Sequence, residues 1–155
     1  MPPKVRQISI FLENRVGRLM EATKALSREA INILGISVVE VSDFGIIRLV
    51  VDAPDEALAA LGRIGLVATE QEVLAVELTD GPGSLAQLLT LLVQAELSVQ
   101  YTYGLLEKSR GRSVIVLRVG DVDGAGLILD DSGFHLLSHY EVAGLGRGPE
   151  ECATS

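Results

Sequence analysis

Glu77-Leu78-Thr79-Asp80-Gly81-Pro82-Gly83-Ser84-Leu85 reads as the end of a strand, a glycine loop and the start of a helix. The chain has said nearly the same thing earlier, in Phe11-Leu12-Glu13-Asn14-Arg15-Val16-Gly17-Arg18-Leu19. Gly17 and Gly83 stand 66 residues apart, and Leu19/Leu85 and Leu26/Leu92 keep that offset. After a two-residue insertion the offset becomes 68, in Asp55/Asp123, Ala57/Ala125, Leu61/Leu129 and Gly65/Gly133. A repeat of this period is domain-sized, so the chain is expected to hold two small domains in tandem, 1–72 and 73–143. Residues 144–155 carry three Gly, one Pro and no apolar periodicity, the composition of a disordered tail.

Outward from the first loop, Ile8, Ile10 and Leu12 alternate on one face of a strand over 5–12. Leu19, Ala22, Leu26 and Ala30 recur at helical spacing after the loop. Ile33 to Val41 is β-branched and predicts a strand, Ser42-Asp43-Phe44-Gly45 a tight turn, and Ile46 to Val51 the returning strand. Pro54, with Asp55 and Glu56 behind it, opens a second helix that Gly65 closes, before a strand from about Leu66 to Gln71. The second copy repeats the order: strands over 74–78, 98–106, 113–119 and 135–142, and helices over 84–95 and, weakened by Gly124 and Gly126, near 122–131. Each copy therefore reads βαββαβ. That order implies an α+β fold, two ferredoxin-like sandwiches in tandem, each an antiparallel sheet with both helices on one face. Both faces of the strand 33–41 are substantially apolar and the strand is expected at a sheet edge. Its open face, or part of it, is therefore expected to be covered, by copy-to-copy packing, by a second chain in a homodimer, or by both.

Composition narrows the function. The net charge of −8 argues against nucleic acid, which needs a basic footprint. No apolar run reaches the roughly 20 residues that span a bilayer. Charged Glu13, Arg15 and Arg18 interrupt the first apolar run, which does not read as a signal peptide. The single Cys152 fits a reducing cytoplasm and forms no disulfide framework. Arg110 and Arg112 flank Gly111 in what reads as a solvated hairpin tip. His135 and His139 share one expected strand without the partners of a metal site, and the aspartates at 121, 123, 130 and 131 match no calcium loop. No catalytic constellation, phosphate loop or dinucleotide fingerprint occurs, so neither catalytic residues, metal ligands nor cofactors are expected.

The segment Glu13 to Leu19, the helix after it, and Ala30-Ile31-Asn32-Ile33 entering a β-rich strand resemble the ACT domain. Asp80-Gly81-Pro82-Gly83-Ser84-Leu85 resembles the same motif in its commoner Pro-Gly form. ACT domains are small amino-acid-sensing modules of the ferredoxin-like fold that regulate enzymes of amino-acid metabolism. The resemblance covers nearly the whole chain and implies a regulatory protein with a small-molecule ligand, an amino acid.

The resemblance puts the ligand on Asn14, Arg15, Val16, Gly17, Arg18 and Leu19 with Asn32, and on Asp80, Gly81, Pro82, Gly83, Ser84 and Leu85 with Ser98. Asn14 and Asn32 match the two asparagines that hold the ligand in serine-binding ACT domains, and Asp80 and Ser98 stand in their place in the second copy. Val16 departs from the Pro of the usual loop. Physical chemistry runs beside this: a helix N-terminus favours an anion such as a carboxylate. Glycine lets a ligand approach the backbone, and Asp80 can receive an ammonium. The same glycines equally serve a tight strand-to-helix turn, and Asn14, Asn32, Asp80 and Ser98 equally serve local turn bonds. The chain thus reads as an amino-acid sensor. A regulatory subunit that mainly binds a partner enzyme is the second reading, and a small enzyme the third.

Overall fold

A computed structural model describes residues 1–13, 15–79 and 81–146. The loop residues Asn14 and Asp80, and most of the expected tail, lie outside the described residues. The elements are β1 (Val5–Glu13), α1 (Arg18–Arg28), β2 (Ile33–Val41), β3 (Phe44–Val51), α2 (Pro54–Arg63), β4 (Val67–Glu77), α3 (Ser84–Gln94), β5 (Val99–Gly104), β6 (Val114–Val119), α4 (Val122–Asp131), β7 (Leu136–Leu137) and α5 (His139–Leu145). They form two compact units, Arg6–Gln71 and Met1–Val5 with Glu72–Ser155.

In the first unit the strands are ordered β2-β3-β1-β4, and in the second β4 lies between β7 and β6 with β5 outside β6. Both are the fourth-first-third-second order of the ferredoxin-like sandwich, antiparallel where the register is defined. Each unit has its own aliphatic core. Ile8, Ile10 and Leu12 meet Leu26 of α1 and Ala57 and Leu61 of α2 in one; Leu74 and Val76 meet Leu88, Leu92 and Leu129 of α3 and α4 in the other. These are the periodic apolar positions of the sequence, and β2 is an edge strand as expected. Opposite the first core, Phe11, Val39, Val41 and Phe44 share the other face through the pairs Phe11↔Ile46, Val39↔Ile46, Glu13↔Phe44 and Val41↔Phe44, and all four are exposed.

The strands read over 66–71 and 74–78 run on as one, β4, the continuity that the absence of a Gly, Ser or Pro linker near Gln71–Val73 implies. Other sequence expectations change. The strand expected over 135–142 shrinks to Leu136–Leu137 and gives way to α5. Ser138 caps that helix: its hydroxyl accepts the Glu141 N–H (3.1 Å) while the Glu141 carboxylate accepts the Ser138 N–H (3.1 Å). Helix α5 includes Gly144 and Leu145, the first residues of the expected tail; 147–155 lie outside the described residues. His135 therefore precedes β7, while His139 opens α5.

The glycines of α4 are packing residues rather than breakers. Asp121 caps the helix by accepting the Gly124 N–H (2.9 Å), and a Cβ on Gly124 would fall 2.2 Å from its carboxylate. A Cβ on Gly126 would press on Pro2 at 3.3 Å. Finally, the hairpin tip is not simply solvated. Arg110 and Gly111 both have positive φ (51° and 76°), and the tip folds onto a buried carboxylate, Glu77.

Candidate functional site

The two glycine loops fold alike. Gly17 (φ 87°, ψ −8°) and Gly83 (φ 98°, ψ −11°) each stand in the left-handed region at the N-cap of the helix that follows. A glycine N-cap has no side chain to accept the first-turn N–H groups, so this terminus keeps its attraction for an anion. A Cβ on either glycine would meet nothing within 4 Å. The requirement for glycine is thus the backbone conformation, which other residues adopt only with strain.

In the first loop, the Arg15 N–H donates to the Glu13 carbonyl (2.8 Å) and the Arg18 N–H to the Arg15 carbonyl (3.2 Å). The Arg18 guanidinium bonds Glu21 at 2.6 Å, with Arg15 at 4.0 Å. The hydrogen bond from Arg18 holds the Glu21 carboxyl below its ordinary range. Val16 is fully exposed and Leu19 partly so. In the second loop, the Ser84 hydroxyl accepts from the Thr79 N–H (3.1 Å) and bonds the Thr79 hydroxyl (3.1 Å), bracing the turn. Gly81 also has positive φ (104°), and Gly81, Pro82 and Gly83 are exposed. Leu85 is partly exposed.

Asn32 and Ser98 lie at the other ends of α1 and α3, each just before a strand. Each helix has 11 residues, about 16 Å of rise, between its glycine loop and this position. Within one unit the loop and the polar residue are therefore not brought together. The Asn32 backbone is tied to Asp52: its N–H donates to the Asp52 carboxylate (2.9 Å) and its carbonyl accepts the Asp52 N–H (3.2 Å). Its exposed side chain lines a shallow recess with Thr23, Ser27 and Ala30. Ser98 is exposed.

Sequence reasoning passed over a second cluster, at the end of β4. The Glu77 side chain is 1% exposed. Its carboxylate accepts from the Ser109 hydroxyl (3.0 Å) and from Arg110 (3.0 Å to each oxygen). Arg112 and His135 stand farther off, at 3.9 and 3.7 Å. The signal was a charged residue at position 77, two beyond Ala75 and four beyond Val73, on an otherwise apolar strand face. Among the described residues no group of His, Cys, Asp or Glu could hold a metal ion, and no helix is long and apolar enough to cross a membrane.

Two ferredoxin-like units in tandem, each with a left-handed glycine between its first strand and first helix, define a class of paired regulatory modules. A family model described as an ACT domain pair matches residues 3–137, and the chain belongs to that family. The protein BT0572 of Bacteroides thetaiotaomicron is similar at 30% identity, over 92% of this chain and 97% of that one, with a TM-score of 0.84. The ligand-free regulatory subunit of aspartate kinase from Thermus thermophilus shares the fold at 16% identity, over 85% and 94% of the two chains, with a TM-score of 0.60. That of Thermus flavus does so at 15% identity, over 85% and 94%, with a TM-score of 0.56. None of the curated proteins compared with the chain matches it. The ACT pair is a regulatory module rather than a catalytic one.

Proposed function

We propose that the protein is a non-enzymatic, cytoplasmic regulator that senses an amino acid through ACT domains 1–72 and 73–143. The observation that carries this reading is the matched geometry of Gly17 and Gly83, which presents two equivalent helix N-termini to an anionic group. The ligand carboxylate would rest near Gly17–Leu19 or Gly83–Leu85, and its ammonium on Asn14 or Asp80. α1 and α3 hold Asn32 and Ser98 away from the loops of their own units, so within a unit the loop alone would hold the ligand. The test is calorimetry and thermal denaturation against the free amino acids. Ligand at 100 times its dissociation constant stabilises the fold by about 2.7 kcal/mol. That is roughly 5–10 °C in a chain this long. Asn14→Ala and Asp80→Ala should each weaken one response, whereas Gly→Val at 17 or 83 would strain the backbone whether or not a ligand binds. No binding at millimolar concentration overturns the sensor reading.

The exposed face of Phe11, Val39, Val41 and Phe44 favours a second reading, a regulatory subunit docking on an enzyme of amino-acid metabolism. The same face supports homodimerisation. Co-purification with an enzyme, without any amino-acid response, would select this reading.

A further inference from the structure

We propose that the recess beside Glu77, which adjoins the second glycine loop through Thr79, is a binding site for a small carboxylate distinct from the helix N-terminus at Gly83. The recess measures about 150 Å³, and Thr79, Gln87, Arg112, Ser132, Phe134 and His135 are among its lining residues. Backbone pairing builds it. The Glu77 N–H donates to the His135 carbonyl (3.0 Å), and the Leu78 N–H to the Ser113 carbonyl (2.8 Å). The residues at the starts of β7 and β6 are thereby held on either side of the end of β4.

Hydrogen bonding leaves one cation of the recess without a directly bonded carboxylate. Glu77 is already satisfied by Ser109 and neutralised by the two-oxygen grip of Arg110. Glu141 is engaged by the Ser138 N–H and by His135 at 3.3 Å. Arg112 pairs with Glu77 only at 3.9 Å, beyond hydrogen-bond distance, which leaves its guanidinium N–H groups without an acceptor among the described residues. Among the described residues the side chains of Arg112, Gln87 and Ser132 make no hydrogen bond, and they converge on one recess. Phe134 contributes an apolar wall. A single guanidinium fork matches a planar monoanion, and a carboxylate fits it in two parallel bonds. A phosphate would bring more negative charge than Arg112 can balance beside Glu77 and Glu141.

The chain has only two histidines, which makes His135 a reporter. The full chain would be titrated with acetate at fixed neutral pH and constant ionic strength, chloride balancing, and followed by proton NMR of the imidazoles. His139→Gln assigns the two resonances. We expect a saturable shift of the His135 resonance with acetate and a weaker response to inorganic phosphate. Arg112→Gln should weaken acetate binding by about tenfold or more. Gln87→Ala, on the exposed surface of α3, should weaken it less, and Asn14→Ala should leave it unchanged. A shift that fails to saturate, that chloride reproduces, that survives Arg112→Gln undiminished, or that phosphate produces at lower concentration would overturn the proposal.

Discussion

Glu77→Ala should destabilise the second unit by about 2–3 kcal/mol, and the structure says where that comes from. The Ser109 residue is buried and its hydroxyl gives Glu77 a charge-assisted bond, worth roughly 1.5–3 kcal/mol. One buried methylene is lost, at about 0.8 kcal/mol. Arg110 contributes little to this loss, because its side chain is 67% exposed and regains water once Glu77 is gone. Against these stands the relief of no longer burying a carboxylate, which offsets part of the total. The melting temperature should fall by about 4–12 °C, read by far-ultraviolet circular dichroism. Glu77→Gln keeps the shape and should cost less, whereas Arg110→Ala leaves the Glu77 carboxylate buried without its bonded cation and should cost more than Glu77→Gln. Hydrogen exchange should quicken at the N–H groups of Ser109 and Arg112, which pair across the tip at 2.9 and 2.8 Å. If Glu77→Gln costs as much as Glu77→Ala, or Glu77→Ala costs under about 0.5 kcal/mol, the reasoning fails.

Gly124→Ala should be neutral or destabilising in the native chain, because its Cβ would displace the Asp121 cap, yet stabilising by about 1 kcal/mol in an Asp121→Ala background; equal effects in both would refute the steric conflict. Backbone N–H bonding by Ser138 holds the Glu141 carboxyl below its ordinary range, and Arg6 does the same to Asp55. Since the unfolded chain then binds protons first, stability should be level above the ordinary carboxylate range and fall as pH drops through it; an acid limb unaltered by Asp55→Asn with Glu141→Gln would count against this. Phe11→Glu with Phe44→Glu should shift the species seen by light scattering toward monomer if that apolar face joins two copies, and an unchanged mass would exclude the face.

Much of the fold was legible because the repeat compares the chain with itself. An offset of 66 residues between Gly17 and Gly83 survives as nearly identical backbone angles. Apolar periodicity then placed Leu26, Leu61, Leu92 and Leu129 in their cores. The end of the second copy was harder, because apolar residues before and after Ser138 imitate a strand. Only the Ser-x-x-Glu spacing of Ser138 and Glu141 distinguishes the helix start. The Glu77 cluster was less legible still. Its members are spread from position 77 to 135 and meet only because β4 pairs with both β6 and β7.

The two copies have also diverged in a way that periodicity does not reveal. On the strand face away from α3 and α4, Ala75, Val114, Val116 and Leu137 are all buried, and so is Val142 of the added helix α5, which packs against β7. The corresponding face of the first unit buries Gln7, Ser9 and Val50 but exposes Phe11, Val39, Val41 and Phe44. A sheet with one apolar face against helices needs something on the other face whenever that face is apolar too. In the second copy the chain follows its last strand with a capped helix. In the first copy no helix follows, because β4 continues directly as the first strand of the second copy. The fusion that makes the tandem thus removes the place where the first copy could carry such a helix, and its apolar face is the surface where association of this protein should be sought.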